Sequence, residues 1–390
     1  MSDMLEVLTQ RMSSGIIQHS NHEIIGIEIR RKRLELSFTL SGLCFEICSP
    51  SYLCKIEKNQ IQANEFILQE LCSRVSINKE QQKILFNSYE VLLDSVKAYV
   101  TLDKKLLDSY VLKGKGFENY RYRIIFFIKL ISDDRLFQAK VVYNELVKLL
   151  SSMQDIDMLV FSLFTVVLHF KERNYEEALK ILNKLEGVTM NEELGILYST
   201  YLFLTSSMLL LSDTSFNYVE ATNRIKNAGY YYKLEDLNYA FGLYAIKTSS
   251  ERLFDFAIKL VHDDVHKNSL YFLYAYIRKD METVNLYKDR QLNEFCKFIV
   301  SILDNEEGAI EMVKHLSGSN DRFDFNAYML KYMTLTDSED KRLFILNTLE
   351  YRNRVKDSFV INYLIKELLR IKTKKPHNRS TFSTISKYWL

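Results

Sequence analysis

Proline is almost missing from this chain. Among 390 residues there are two, Pro50 and Pro376, and the 325 positions between them hold none. Glycine is scarce too, at 11. A sheet protein of this length needs many tight turns, which draw on both residues, whereas helix interiors exclude both. The shortage therefore excludes all-β and α/β architectures and predicts an all-α chain. Cysteine is also thin. Cys44, Cys48, Cys54, Cys72 and Cys296 make an odd set of five. Four of them fall at apolar helical positions, which argues against a disulfide framework and for a reducing, cytoplasmic setting. Charge of neither sign dominates. Lys and Arg total 52 against 50 Asp and Glu, so any nucleic-acid surface must be local.

Long apolar runs are lacking as well. The best, "LYSTYLFLTSSMLLL", is broken by Ser and Thr and is too short to span a bilayer, so no membrane association is expected. The first residues show no basic stretch followed by a continuous apolar core, so they do not read as a signal peptide. No G-x-x-x-x-G-K-[ST] loop, G-x-G-x-x-G turn or G-x-S-x-G elbow occurs. No residue set for catalysis stands out, so no enzyme and no cofactor are expected.

Apolar residues, by contrast, are plentiful. They make up 47% of the chain, with 25 Tyr and 24 Phe. This is enough for two or three domains, or for one elongated repeat array. Punctuation divides the chain into an N-terminal extension (1–21), a small helical module (22–78), a long helical region (79–372) and a basic tail (373–390).

The module is the most informative stretch. Ile25, Ile29 and Leu34 place a first helix over about 24–36. Thr39 can cap a short second helix over 40–47, with Leu40, Leu43 and Ile47 inward. Ser49 is a natural N-cap and Pro50 a natural first residue for a third helix over 50–58, with Leu53 and Ile56 inward. Asn64 opens a fourth helix carrying Phe66, Ile67, Leu71 and Val75. Two short helices around a tight turn, the second with a polar outer face, form the pattern of a helix-turn-helix.

Gly26, Ile29, Arg30 and Arg33, then Ile47, Cys48, Ser49, Ser51, Tyr52, Leu53, Lys55, Ile56, Glu57 and Ile61, carry a resemblance. Over about 55 residues the module resembles the lambda-repressor-like (XRE-type) domain of the Rgg/PlcR (RRNPP) class of peptide-sensing regulators. The resemblance implies a lambda-repressor-like head followed by a TPR-like right-handed superhelix. It assigns Arg33 and Glu57 to a structural ion pair. It places Ser49, Ser51, Tyr52 and Lys55 on the groove side, with Lys58, Gln60, Arg30 and Arg31 near phosphates. Two positions depart from the pattern. Leu40 stands where the class carries a phosphate-binding Gln, and Gly42 lies inside a helix. Basic and acidic residues number seven each over 22–78.

In the long region, "ERNYEEALKILNKLE" (172–186) resembles the joint of a tetratricopeptide hairpin, with Ala178 where the helices cross. Related copies place Ala139, Ala221 and Ala257 likewise, giving spacings of 39, 43 and 36. These exceed the consensus period of about 34. "IRKDMETVNLY" and "DNEEGAIEMVKHL" read as more divergent pairs. A superhelix offers a groove for an extended peptide, and Tyr201, Asn238 and Tyr274 on first helices are candidates to line it.

By its resemblance the chain is expected to be a homodimeric regulator. It would bind a double-stranded DNA operator and answer to a short signalling peptide. The alternative is a protein-interaction scaffold whose head no longer binds DNA. Two metal readings are the weaker ones. Cys44, Cys48 and Cys54 read as buried thiols rather than zinc ligands, and His262 with His266 as a solvated helix end rather than a metal pair. "KGKGF" (113–117) reads as a linker, and the tail after Pro376 as basic and polar with an aromatic end.

Overall fold

Ser, Thr, Asn and Asp side chains do the punctuating that proline and glycine do not. The computed structural model describes residues 2–12, 24–58, 60–61, 63–114, 119–150, 153–278, 280–293, 296–297, 299–300 and 341–343. These residues form helices and turns, and no strand occurs among them. The chain is all-α. In chain order the helices are α1 (Ser2–Met12), α2 (Ile24–Glu35), α3 (Leu40–Cys44), α4 (Pro50–Glu57), α5 (Glu65–Arg74) and α6 (Lys79–Val100). There follow α7 (Lys104–Lys113), α8 (Tyr120–Ser132), α9 (Leu136–Val147), α10 (Asp155–Lys171), α11 (Tyr175–Lys184) and α12 (Glu192–Leu209). Then come α13 (Thr214–Asn227), α14 (Leu234–Lys247), α15 (Glu251–Leu260), α16 (Asp264–Arg278) and α17 (Met281–Tyr287).

Most of these helices start on an identifiable cap. Asn78 and Gln81 form a reciprocal capping box at α6. Asp103, Asn119, Ser250 and Asp280 each accept a hydrogen bond from a first-turn N–H. Several helices end on a non-glycine residue in the left-handed region: Leu102, Asp134, Arg173, Leu210 and Ser249. The last four fall at spacings of 39, 37 and 39 and close the first helix of successive hairpins. After Asp134 and after Ser249 the next N–H reaches back five residues, from Arg135 to Leu130 O and from Ser250 to Ala245 O, closing Schellman turns. The hairpin joints therefore repeat more regularly than the alanines do.

Two compact units emerge: Met1–Lys171 with Glu177–Tyr201, and Glu172–Glu176 with Leu202–Leu390. In the first, α2 to α5 surround a small core of Ile25, Ile29, Leu43, Leu53, Ile56, Leu71 and Val75. Ile77 and Leu85, just before and within α6, complete that core. α6 has 22 residues, so it runs about 33 Å. α6 also packs on α8, and Tyr99 near its C-terminal end meets Phe164 of α10 edge-on at 4.9 Å.

The first unit also buries a polar cluster. Arg121 and Asp157 are both fully buried, with Arg121 Nε 2.7 Å from Asp157 Oδ1. Arg121 also donates to Gln154 Oε1 at 2.7 Å and reaches Ser88 Oγ at 3.4 Å. The Tyr120 hydroxyl donates to the second oxygen of Asp157. Burial, reinforced by the Asp157 charge, holds the Tyr120 hydroxyl well above its usual range. One ion pair thus ties α6, α8 and α10 together.

Ala139, Ala178, Ala221 and Ala257 all have no exposed surface, in keeping with close helix crossings at each. In the second unit, Phe254, Ile258, Leu270, Phe272 and Val284 belong to one core. Gly242 of α14 lets α16 approach, since a Cβ there would lie 2.6 Å from Leu270 Cδ1. "IRKDMETVNLY" spans the α16–α17 joint. "DNEEGAIEMVKHL", most of "KGKGF" and the basic tail lie outside the described residues.

The histidine pair does not share a helix. α16 begins at Asp264, so His262 precedes it and donates its N–H to Glu235. His266 stacks on Tyr239 at 4.4 Å.

Candidate nucleic-acid interface

The head is built by its caps. Thr39 accepts from Gly42 N–H at 3.0 Å and opens α3. A Cβ on Gly42 would lie 3.2 Å from that same hydroxyl oxygen, so the glycine leaves the cap room. α3 stops at Cys44, shorter than the expected 40–47, because Glu46 adopts φ +60. Ser49 accepts from Tyr52 N–H at 3.2 Å, and Pro50 occupies the first position of α4. Asn64 accepts from Phe66 N–H at 2.9 Å and opens α5.

Periodicity decides which face α4 buries. Leu53, Ile56 and Glu57 are buried, while Ser49, Ser51 and Lys55 are exposed on the other side. Tyr52 is half-buried against the core. Lys58 and Gln60 follow the helix and are exposed, and their N–H groups bond back to Cys54 O and Lys55 O.

Arg33 and Glu57 form a bidentate pair. Nε lies 2.6 Å from Oε1 and Nη2 lies 2.9 Å from Oε2, with Nη1 on Phe38 O at 3.0 Å. The Glu57 hydrogen bond raises the Arg33 pKa further. The pair fixes α2 to the end of α4 and to the turn before α3.

Leu34, which helped to place α2, is 59% exposed. Ile25 and Ile29 are continued at the next i+4 position by Arg33, so a charged residue completes the buried stripe. Phe66 is likewise 70% exposed, because Ile67, Leu71 and Val75 make the inward row of α5. Leu40 is half-buried against the head core, which accounts for an apolar residue at that place. Among the cysteines, Cys44 and Cys72 are buried but Cys48 and Cys54 only half-buried, with Cys48 at the rim of the small core. Burial pushes the Cys72 thiol up to about 12.

The cations divide sharply. Arg31 is paired with Glu28 at 2.5 Å and with Glu35. Arg30, Lys55 and Lys58 are exposed and have no carboxylate partner among the described residues. Arg74 of α5 has a role that its sequence position did not signal. Its Nη1 donates to Leu43 O at 3.0 Å and to Phe45 O at 2.6 Å, bracing the turn between α3 and α4. A basic residue at a helix C-terminus was the available clue.

The groove candidates sit in different surroundings. Tyr201, in the first unit, shares its hydroxyl with Tyr99 at 3.3 Å and packs edge-on against Phe170. Burial keeps its hydroxyl well above the ordinary tyrosine range. Asn238, in the second unit, is a correction. Its Oδ1 accepts from Tyr218 at 2.7 Å and its Nδ2 donates to Leu260 O at 2.8 Å, so its amide is engaged inside the fold. Tyr274 stacks on Phe254 at 3.9 Å, with the Arg278 guanidinium 4.6 Å from its ring centre.

Neither a protein-family profile nor a curated protein sequence matches the chain. Two solved structures align with it. One is Bacillus thuringiensis PlcR in complex with the peptide PapR7 and DNA, at 15% identity and a TM-score of 0.35. That alignment covers 69% of this chain and 100% of the other. The second is the apo form of the competence regulator ComR from Streptococcus vestibularis, at 12% identity and a TM-score of 0.36. It covers 64% of this chain and 97% of the other.

Proposed function

We propose that this chain is a DNA-binding transcriptional regulator. Its head, residues 22–78, reads a double-stranded operator through α4, and the helical region that follows, 79–372, serves as the sensor. The observation that carries this reading is the two-sided character of α4. Leu53, Ile56 and Glu57 lock one side into the core, leaving Ser49, Ser51 and Lys55 to project from the other. A groove-entering helix needs such a fixed back and polar front. Lys55 is assigned to a base edge or adjacent phosphate, with Ser51 and Tyr52 beside it. Arg30, Lys58 and Gln60 contact the backbone, while Arg31 stays with its glutamates. The chain acts as a homodimer in the cytoplasm. A short signalling peptide shifts the relative placement of two heads, and this coupling runs in both directions. Tyr201 and Tyr274 are the groove residues retained in this reading. No helix among the described residues is long and apolar enough to cross a membrane.

The test is anisotropy of labelled DNA from upstream of the gene, titrated with the full chain across a salt series. Three unpaired cations per head predict about six phosphate contacts per dimer, hence a slope of log K against log salt near −5. Lys55→Ala should cut the preference over competitor DNA by about tenfold or more. Binding that is weak, indifferent to sequence and unmoved by Lys55→Ala would sink the reading.

The acid–base balance of the head favours a second reading. Leu40 is committed to the core, and Arg31 and Arg33 to carboxylates. In that case the helical region binds a protein partner and the head is a relic.

A further inference from the structure

The chain begins with a helix ahead of the head. α1 has 11 residues. A helix this short is marginal in water on its own, so its order must come from what it packs against. The contacts are specific. Leu8 has no exposed surface. Arg11 Nη2 lies 2.5 Å from Asp155 Oδ1, and its Nη1 donates to Met153 O at 2.7 Å. Both contacts fall at the N-terminal end of α10, where Asp155 and Asp157 also face the positive end of the helix dipole.

That end of α10 is used from two sides. Asp155 turns outward to Arg11, with side-chain exposures of 18% and 30%. Gln154 and Asp157 turn inward to Arg121, which reaches Ser88 of α6. α6 in turn lends Leu85 to the core of the head. The head is therefore joined to α10 through α6 on its C-terminal side, and α1 returns to the same turn of α10 from its N-terminal side.

We infer that the N-terminal end of α10 is a docking surface for the chain's own α1, which acts as a strap that orders on docking and holds the head from its N-terminal side. The helix and its contact form together and are lost together. Release leaves the attachment of the head through α6 in place. This inference stands whether or not the head binds DNA.

Hydrogen exchange of the full chain tests it without any ligand. In the unaltered protein the α1 amides should be protected. Arg11→Glu should speed their exchange about fivefold or more, since it replaces an attraction of the size exposed pairs supply with a repulsion. The double variant Arg11→Glu/Asp155→Arg should restore protection, which a general loss of structure would not allow. Deleting residues 2–12 should raise exchange in α2 while α8 and α10 keep their protection. Four results would overturn the strap. They are unprotected α1 amides in the unaltered chain, no response to Arg11→Glu, no change in α2 on deletion, and protection that rises with protein concentration. The last would assign α1 to the α10 of a second copy.

Discussion

Arg33 in the head and Arg121 in the helical region are both held against a carboxylate, yet the two pairs are built differently. Arg33 keeps a trace of solvent, with side-chain exposures of 10% for it and 4% for Glu57. It meets Glu57 fork to fork and needs only Phe38 O besides. Arg121 and Asp157 have no exposure at all. Asp157 serves both Arg121 and Tyr120, while Gln154 and Ser88 take further guanidinium donors. The first is a self-sufficient clamp between two helices. The second is a network in which Asp157 accepts from two side chains and Arg121 donates to three, so that removing one strands several.

The sharpest way to break the comparison is to remove the two carboxylates in turn. Asp157→Ala leaves a buried guanidinium with no counter-charge and a buried hydroxyl with no acceptor. It should cost about 3–5 kcal/mol and lower the melting temperature of the full chain severely, as read by calorimetry. Glu57→Gln should cost less, about 1.5–3 kcal/mol, because the amide still accepts one bond and Arg33 can reach water. Equal losses for the two variants would show that the pairs are not different in kind. Arg74→Ala removes two bonds to the carbonyls of the turn and should cost about 1–2 kcal/mol. Its effect on DNA preference should exceed its effect on the salt slope, since Arg74 positions α4 and contacts no phosphate. Smallest of all, Leu102→Gly should stabilise by about 1 kcal/mol. Leu102 is 65% exposed at φ +60, a conformation that costs a side-chain-bearing residue about that much. A lower midpoint in urea would refute it.

The legibility of the two regions differs for a related reason. Ser49, Thr39 and Asn64 could be named as caps because a cap acts on an N–H two or three residues away. The Ala positions of the hairpins were legible because close crossings admit little else. The hairpin joints were less so. Asp134, Arg173, Leu210 and Ser249 take the left-handed conformation that glycine usually takes, so no breaker marked them. Asn238 was misplaced because the same amide that can pair with a peptide can pair with Tyr218 and Leu260. Leu34 marked the period of α2 but not its buried stripe, which a paired arginine, Arg33, completes.

Composition and local spacing by themselves determined that the chain is helical, where many of its helices begin, and that α4 has one apolar and one polar side. These follow from proline and glycine shortage, from caps and from a period of 3.6, all of which act within a few residues. Only the tertiary structure decided that Arg121 finds Asp157 across 36 positions, that Arg74 braces a turn 29 to 31 residues earlier, and that Arg11 reaches α10 across 144. A buried charge is tolerated only where distant groups converge on it, and that convergence is set by packing, which no local pattern records.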